Sequence, residues 1–472
     1  MLLQRLYDTQ LAQASYLIGC AAAGEAIVLD PTRDADKYLA AAAALGVHIK
    51  HVSETHIHAD FVSGSRELAA RTRAKLYLSG QGGPDWQYDF AKAEGAVLLH
   101  EDDEIAVGNV RLRVVHTPGH TPEHLIFLVT DGAAATEPIG AVTGDFVFVG
   151  DVGRPDLLER AARHQGTMDS AARTLFRSLR RFKSLPDWLQ IWPGHGAGSA
   201  CGKGLSAVPH STVGYERRFN WAFAVSEEEE FVRLVLTGQP DPPRYFGTMK
   251  RINKEGPPLL TELPAPPRLT SDRLGRLVGE GAFVIDARPA ADHARGHIPG
   301  TLNIPLNKSF TSWAGWLAPY DRDLYLILGD TARSDEAVRD LRMIGLDRVA
   351  GVFGPDAVPA WAAEGCPLEV VRHMDVAELQ NGLPPGAGVI DVRSPGEWEA
   401  GHMPGVKNFP LGGLEERLDE LPRGRPLVVY CQGGSRSAIA SSLLQSRGIG
   451  EVVNLAGGFS EWERLGLPKE RS

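Results

Sequence analysis

The sequence contains few cysteines and no long apolar run. Only four of its 472 residues are cysteines, and they lie far apart, at Cys20, Cys201, Cys366 and Cys431. Such sparse cysteines exclude a disulfide framework and favour a reducing compartment. No segment approaches the roughly 20 consecutive apolar residues that a membrane helix requires. We therefore expect a cytoplasmic protein that does not bind a membrane.

An excess of positive charge is also missing. The chain carries 49 Lys and Arg residues against 59 Asp and Glu residues, a formal net charge of −10 at pH 7. Because nucleic-acid binding depends on a basic surface, we expect no nucleic-acid partner. A chain of 472 residues is also longer than one hydrophobic core usually supports, so several domains are expected.

The N-terminal half has the pattern of one layered domain followed by a linker. Residues 1–255 alternate short apolar runs with helical patterns, which is typical of an α/β domain. Histidine and aspartate residues follow directly after several of the apolar runs. Five prolines fall within residues 256–267, so we expect a stiff linker there.

An internal repeat follows the linker. The segment "FVIDARPAADHARGHIPGTLNIPL", which begins at Phe283, recurs as "GVIDVRSPGEWEAGHMPGVKNFPL", which begins at Gly388. Strand and helix patterns alternate in both segments. The repeat therefore predicts two doubly wound α/β domains, a first copy at residues 268–372 and a second copy at residues 373–472.

Histidines and aspartates of residues 1–255 form a candidate metal site. They occur in "THIHAD", "TPGHT", "TGD" and "PGH", each at or just past an apolar strand. Imidazoles and carboxylates that converge from several loops are typical metal ligands. The candidates are His56, His58, Asp60, His120, Asp145 and His195.

These motifs resemble those of the metallo-β-lactamase superfamily over residues 1–255. The resemblance implies an αββα sandwich, and hydrolases of that superfamily usually hold two zinc ions through His-x-His-x-Asp-His. Here Phe61 replaces the last histidine, so a second zinc ion loses a ligand. The remaining set of His56, His120 and Asp145 offers two imidazoles and one carboxylate, the set used by non-haem Fe(II) oxygenases.

That set is similar to the iron ligands of the persulfide dioxygenase family. The resemblance implies one Fe(II) per chain, with O₂ and a small persulfide as substrates and a homo-oligomer as the assembly. His58, Asp60 and His195 would then orient the ligands or the substrate. Zinc stays the alternative metal, since His58 would suit a histidine-rich zinc site as a further ligand.

Two later segments also resemble this family. In "GDVGRPDL", Arg154 would hold the anionic end of a substrate or form a salt bridge with Asp156. The glycine-rich "GHGAGSACGKG" resembles the members fused to rhodanese domains, and its Cys201 and Lys203 would line the mouth of the pocket. Cys201 would either carry sulfur or serve as a small buried residue.

The second copy contains a candidate nucleophile at the end of a strand. Cys431 is followed by a loop and a helix, so its thiolate would face backbone N–H groups, a helix N-terminus and the guanidinium of Arg436. This loop resembles the rhodanese active site, in which the cysteine carries sulfane sulfur. Cysteine phosphatases have five residues between Cys and Arg, whereas this loop has four. They are Gln432, Gly433, Gly434 and Ser435.

The first copy lacks the nucleophile. Gly329 occupies the position of the cysteine, and the loop that ends at Arg333 is one residue shorter. We therefore expect an inactive rhodanese copy.

Together these features predict that a persulfide is oxidised to sulfite and a thiol, and that Cys431 passes sulfur to sulfite to give thiosulfate. The alternatives are a binuclear zinc thioester hydrolase of the glyoxalase II type and a sulfur relay without dioxygenase activity.

Overall fold

The computed structural model describes residues 1–160, 166–383 and 385–471. The chain divides into two compact units. The first unit comprises Met1–Leu263 and Arg342–Gly345, and the second comprises Pro264–Leu341 and Leu346–Ser472. The first unit thus includes part of the predicted linker, where the N–H of Leu260 donates to Glu67 at 2.8 Å.

Two six-stranded sheets form the centre of the first unit, in the orders β1-β2-β3-β4-β5-β6 and β12-β11-β10-β9-β8-β7. Their strands are β1 (Leu2–Asp8), β2 (Gln13–Cys20), β3 (Glu25–Leu29), β4 (His48–Ser53), β5 (Lys75–Ser79), β6 (Val97–Leu99), β7 (Glu104–Val107), β8 (Val110–His116), β9 (Leu125–Asp131), β10 (Gly140–Gly144), β11 (Gln190–Pro193) and β12 (Ser211–Thr212). The helices are α1 (Asp36–Ala44), α2 (Ser65–Thr72), α3 (Leu157–Arg160), α4 (Met168–Phe182), α5 (Val213–Phe219), α6 (Trp221–Ala224), α7 (Glu228–Leu236) and α8 (Phe246–Glu255).

Apolar side chains order these elements into four layers. Between the sheets, alternate residues of β8 such as Leu112 and Val114 pack against Tyr16 and Ile18 of β2. On the outer face of the second sheet, α4 buries Leu175 and its apolar neighbours at helical spacing. Helices α1 and α2 cover the outer face of the first sheet. The αββα sandwich expected from the sequence is therefore confirmed.

The second unit contains two parallel sheets, one from each copy of the repeat, in the orders β14-β13-β15-β16 and β17-β21-β20-β18-β19. Their strands are β13 (Phe283–Asp286), β14 (Leu302–Asn303), β15 (Leu324–Ile327), β16 (Val349–Phe353), β17 (Arg372–Met374), β18 (Gly388–Asp391), β19 (Lys407–Asn408), β20 (Leu427–Tyr430) and β21 (Val452–Leu455). The helices are α9 (Asp272–Gly279), α10 (Ala290–Arg295), α11 (Phe310–Leu317), α12 (Ser334–Met343), α13 (Ala357–Ala363), α14 (Val376–Gln380), α15 (Pro395–Ala400), α16 (Ser435–Ser446) and α17 (Gly458–Arg464). The predicted pair of α/β domains is confirmed.

Helix α16, which follows the Cys431 loop, is buried around most of its circumference. It packs on β20 and β21 of its own sheet and also on β14 of the first copy. At that contact, the N–H of Asn303 donates to the hydroxyl of Ser442 at 3.0 Å, and the Gln445 amide donates to the carbonyl of Val370 at 2.9 Å. The first copy therefore completes the burial of the helix that begins at the cysteine loop.

Across the residues that the structure describes, no helix is both long enough and apolar enough to cross a lipid bilayer.

Candidate metal centre and sulfur-transfer loop

His56, His120 and Asp145 come together where strands of the two sheets end. Their ligand atoms all lie within 4.8 Å of one another, and the three side chains are buried. Within the described residues, neither carboxylate oxygen of Asp145 has a hydrogen-bond partner. Because a buried carboxylate that accepts no hydrogen bond is costly, this arrangement fits residues that hold a cation.

Neighbouring groups orient the two imidazoles. Nδ1 of His56 lies 2.9 Å from the hydroxyl of Thr55, and Nδ1 of His120 lies 3.1 Å from the carbonyl of Arg154. A donor role for Nδ1 leaves Nε2 with its lone pair, as metal ligation requires. Burial lowers the pKa of both histidines, and that of His56 lies well below its usual value. Both rings are therefore neutral, which is the form that binds a metal.

His58 does not join this trio and pairs with Asp30 instead. Its Nε2 lies 3.1 Å from one carboxylate oxygen of Asp30, which also accepts from the N–H of Thr55, and the hydroxyl of Thr55 donates to the other oxygen. Burial lowers the pKa of His58, but Asp30 and Glu54 outweigh it and raise the pKa to about 9. The structure thus places His58 beside Asp30 and outside the trio, and its orienting role stays a prediction.

Asp60, His195 and Cys201 form a second group beside the first. Their ligand atoms also lie within 4.8 Å of one another. Nε2 of His195 lies 3.2 Å from Asp60 and 3.3 Å from Asp145, while its Nδ1 lies 3.0 Å from the carbonyl of Ala12. The sequence predicted Cys201 at the mouth of the pocket, whereas the structure buries it next to the candidate ligands.

Phe61 fills the position where a further histidine would stand. Its ring is completely buried, and its centroid lies 4.4 Å from that of His58. The phenylalanine therefore gives this side of the centre an apolar wall.

Arg154 stabilises the segments around the centre through its guanidinium and its carbonyl. Its guanidinium is fully buried, donates to both carboxylate oxygens of Asp156 at 3.0 and 2.7 Å, and donates to the carbonyl of Ala200 at 2.8 Å. The ion pair that the sequence left open is therefore present. Since the Arg154 carbonyl also faces His120, this one residue connects a candidate ligand with the loop that carries Cys201.

Asp151, to which the sequence assigned no role, also holds the loop around Cys201 in place. One of its oxygens accepts from the backbone N–H groups of Lys203 and Gly204 at 3.0 and 2.9 Å. The ammonium of Lys203 donates to the carbonyls of Leu234 and Thr237 at the end of α7. The structure thus places Lys203 on a helix terminus instead of at the pocket mouth.

Two glycines allow the backbone to approach Asp145. A Cβ atom on Gly153 would lie 1.9 Å from the Asp145 carbonyl, and one on Gly194 would lie 2.8 Å from its carboxylate. Glycine is therefore needed at both positions for steric reasons, in addition to the chemical role of the neighbouring motif residues.

Asn253 of α8 was not predicted, yet it holds the ligand loop in place. Its buried side-chain amide donates to the carbonyls of His58 and Phe61 at 2.8 and 2.7 Å and accepts from the N–H of Ser63 at 2.8 Å. No local sequence pattern marks it, because its contacts lie about 190 positions earlier in the chain.

We expect Asn253→Ala to destabilise the first unit and weaken metal binding. The change leaves three buried backbone groups unpaired, each worth about 1–3 kcal/mol, and part of that cost is relieved by local rearrangement. Denaturant unfolding should show a loss of roughly 2–4 kcal/mol, and metal analysis should show lower occupancy. Arg251→Ala, on the exposed face of the same helix, is the control. Wild-type stability in Asn253→Ala would contradict the bracing role.

In the second copy, Cys431 lies beneath the loop that connects β20 to α16. Its Sγ accepts from the N–H of Gly434 at 3.1 Å and lies 3.5 Å from the hydroxyl of Ser437. Gly434 adopts a φ of +102°, which suits glycine. Gly433 and Ser435 are exposed at the mouth of the loop. The thiol thus faces backbone and hydroxyl donors that suit a sulfur anion.

Arg436 and Gln432 mainly hold the loop together. Arg436 makes two bonds of 2.6 and 2.7 Å to Glu397. Burial raises the pKa of Glu397, but the bonds from Arg436 outweigh it and lower the pKa to about 2. Gln432 accepts from Arg393 at 3.0 Å and donates to Ser460 at 2.9 Å. The guanidinium of Arg436 is therefore directed at a carboxylate, whereas the sequence suggested that it would face the thiol.

Known proteins match the two kinds of domain. Family models match the metallo-beta-lactamase superfamily at residues 8–195 and the rhodanese-like domain at residues 270–352 and 375–465. A crystal structure of a metallo-beta-lactamase from Staphylococcus aureus is 44% identical with a TM-score of 0.69, covering 75% of this chain and 99% of that one.

Two curated relatives match separate parts of the chain. The mitochondrial persulfide dioxygenase of Bos taurus is 27% identical over 240 residues, which are 50% of this chain and 80% of that protein. A sulfurtransferase of Allochromatium vinosum is 39% identical over 101 residues, which are 21% of this chain and 94% of that protein. The two matches thus differ in length, one covering half of this chain and the other about a fifth.

Proposed function

We propose that this chain, which belongs to the metallo-beta-lactamase superfamily and carries two rhodanese-like domains, is an iron-dependent persulfide dioxygenase joined to a sulfurtransferase. Its substrates would be a low-molecular-weight persulfide and O₂, and its products a thiol, sulfite and thiosulfate. This combination would remove sulfide-derived sulfur.

The observation that carries the first half of the proposal is the buried trio of His56, His120 and Asp145. Two neutral imidazoles and one carboxylate without a hydrogen-bond partner suit a single Fe(II) ion with open positions. Iron bound there would supply the O₂ chemistry. Phe61 and the His58–Asp30 pair remove ligands that a histidine-rich zinc site would use. The likeness to a persulfide dioxygenase supports the same conclusion.

The overall oxidation is balanced as R–S–S⁻ + O₂ + H₂O → R–SH + SO₃²⁻ + H⁺. The terminal sulfur is oxidised, O₂ is reduced, and the S–S bond breaks. The chain's own contribution is to hold the ligands in a fixed geometry through Asp30, Thr55 and the Arg154 carbonyl, and to keep the pocket dry through Phe61.

The second half of the proposal rests on Cys431. A persulfide of Cys431 would transfer its outer sulfur to sulfite, giving thiosulfate and the free thiolate, with no net change in charge. The N–H of Gly434, which already faces Sγ, would stabilise the anion before and after transfer. Similarity to a sulfurtransferase supports this role. The inactive first copy, with Gly329 in place of the cysteine, would not carry sulfur.

A binuclear metal hydrolase is the second candidate, and one observation favours it. Asp60, His195 and Cys201 could hold a second cation, even though Phe61 removes the usual histidine. In the proposed dioxygenase, Asp60 and His195 instead position the substrate beside a single metal ion. Cys201 either accepts sulfur or lines the site where the substrate sulfur binds. The number and identity of bound metals separate the two candidates.

The test is oxygen uptake by the Fe(II)-loaded protein with glutathione persulfide, together with assays of sulfite and thiosulfate. We expect rapid uptake, one iron per chain, and sulfite plus thiosulfate as products. A protein that binds two zinc ions, consumes no O₂ and cleaves a thioester would refute the dioxygenase.

A further inference from the structure

A cleft lies between the two rhodanese-like copies, next to the loop of Cys431. It has a cavity volume of about 250 Å³. The second copy contributes Ser435 and Ile439, while the first copy contributes residues that include Leu306, Asn307 and Arg333. Ser435 directly follows Gly434, whose N–H donates to the Cys431 sulfur. One wall of the cleft is therefore part of the catalytic loop itself.

A second pocket, of about 260 Å³, opens over Gly329 in the first copy. It shares Pro289, Leu306 and Arg333 with the cleft, so the two spaces adjoin. A Cβ atom on Gly329 would meet only Arg288 and Pro289, at 3.7 and 3.8 Å. An active rhodanese copy would carry its cysteine at position 329. Here that position opens into a space that continues toward the Cys431 loop.

The walls of this combined space suit a small organic molecule with both an ammonium and a carboxylate group, because Asp292 and Asp330 line the pocket over Gly329 and Arg333 lines both spaces. Pro289, Leu306 and Ile439 are apolar, and Asn307 and Ser435 add polar groups. Arg333 uses three of its five N–H groups, on Glu336 and on the carbonyl of Leu306. Two donors remain for a carboxylate. Apolar walls with a few polar groups are typical of small-molecule sites.

We propose that this space binds the organic part of the persulfide that delivers sulfur to Cys431, so that the inactive copy is the recognition half of the sulfurtransferase. The inference rests on the proposed role of Cys431. Its thiolate attacks the terminal sulfur of R–S–SH, the S–S bond breaks, and R–S⁻ leaves. Cys431 then carries the persulfide, and no oxidant or reductant is needed. The ligand class is a thiol that carries both an ammonium and a carboxylate group and is small enough for the cleft.

Gly329→Trp tests this inference, because a Cβ atom at this position would have no backbone atom within 4 Å and an indole is large enough to occupy the pocket. The full-length protein is assayed for sulfur transfer to cyanide, with glutathione persulfide or thiosulfate as the donor. We expect the KM for glutathione persulfide to rise at least tenfold, with kcat changed less than twofold. Thiosulfate has no organic part, so its kinetics should stay as in the wild type. Gly329→Leu should give a smaller rise.

Gly279→Trp is the matched control, since Gly279 is an exposed glycine of the same copy with no atom near its Cβ position. Wild-type KM for glutathione persulfide in Gly329→Trp would overturn the inference, and so would an equal loss with both donors. The assay needs no iron, so failure of the dioxygenase proposal cannot imitate either result. A wild-type protein that uses thiosulfate but not glutathione persulfide would overturn both this inference and the proposed use of persulfide by Cys431.

Discussion

Cys431→Ser is expected to abolish sulfur transfer while leaving oxygen uptake and bound metal at wild-type levels. The thiol is the sole candidate acceptor in its loop, and a serine hydroxyl does not form a persulfide. Loss of a covalent nucleophile removes the reaction path itself, so transfer should fall by at least roughly a thousandfold. The volume of the side chain changes little, and the donors from Gly434 and Ser437 can bond to a hydroxyl. The fold should therefore persist.

The measurement compares thiocyanate formation with oxygen uptake on the same preparation. With glutathione persulfide and O₂, the variant should accumulate sulfite in place of thiosulfate. Cys366→Ser, in the first copy and away from the loop, is the matched control and should behave as the wild type. If Cys431→Ser stopped oxygen uptake while remaining folded, the two chemistries would not be separate.

His120→Ala should give the opposite result, with loss of metal and oxygen uptake but intact sulfur transfer. His120 contributes one of the two neutral imidazoles of the trio, and its Nε2 lies 3.6 Å from Asp145. Groups that merely orient a ligand are worth 10–100-fold in metal affinity, so removal of a ligand should cost at least roughly 100-fold. Iron content after desalting and the rate of oxygen uptake report the effect.

His100→Ala is the control for that experiment, because His100 is an exposed histidine of the same unit. It should retain full iron content. Retention of iron and activity by His120→Ala would show that the metal is held by a different set of residues, such as the group of Asp60, His195 and Cys201. Loss of cyanide-dependent transfer in His120→Ala would show instead that the two halves depend on each other.

The sequence alone was sufficient where function is concentrated in short motifs. His56, His120 and Asp145 follow strands that converge at one edge, so their positions predict their proximity. The repeat likewise predicted both parallel sheets and the missing nucleophile at Gly329.

The features that the sequence did not predict depend on contacts between distant segments. Cys201 lies in a glycine-rich loop without periodicity, and its place beside Asp60 follows from the bonds that Asp151 and Arg154 make to that loop. Asn253 gives no signal, because an asparagine near the end of a helix is common. Lys203 was expected at the mouth of the pocket, but its ammonium bonds to the nearby carbonyls of Leu234 and Thr237.

The contact between α16 and β14 means that the active rhodanese copy is not a portable module. A fragment that began at residue 373 would expose the face of α16 that the first copy covers, together with the hydroxyl of Ser442 and the amide of Gln445. The helix whose N-terminus supports Cys431 would then lose its packing on β14. A duplicated domain in this arrangement can lose the cysteine at position 329 and still be needed, because its neighbour packs against it. Such a dependence would preserve the first copy through the stability of the second.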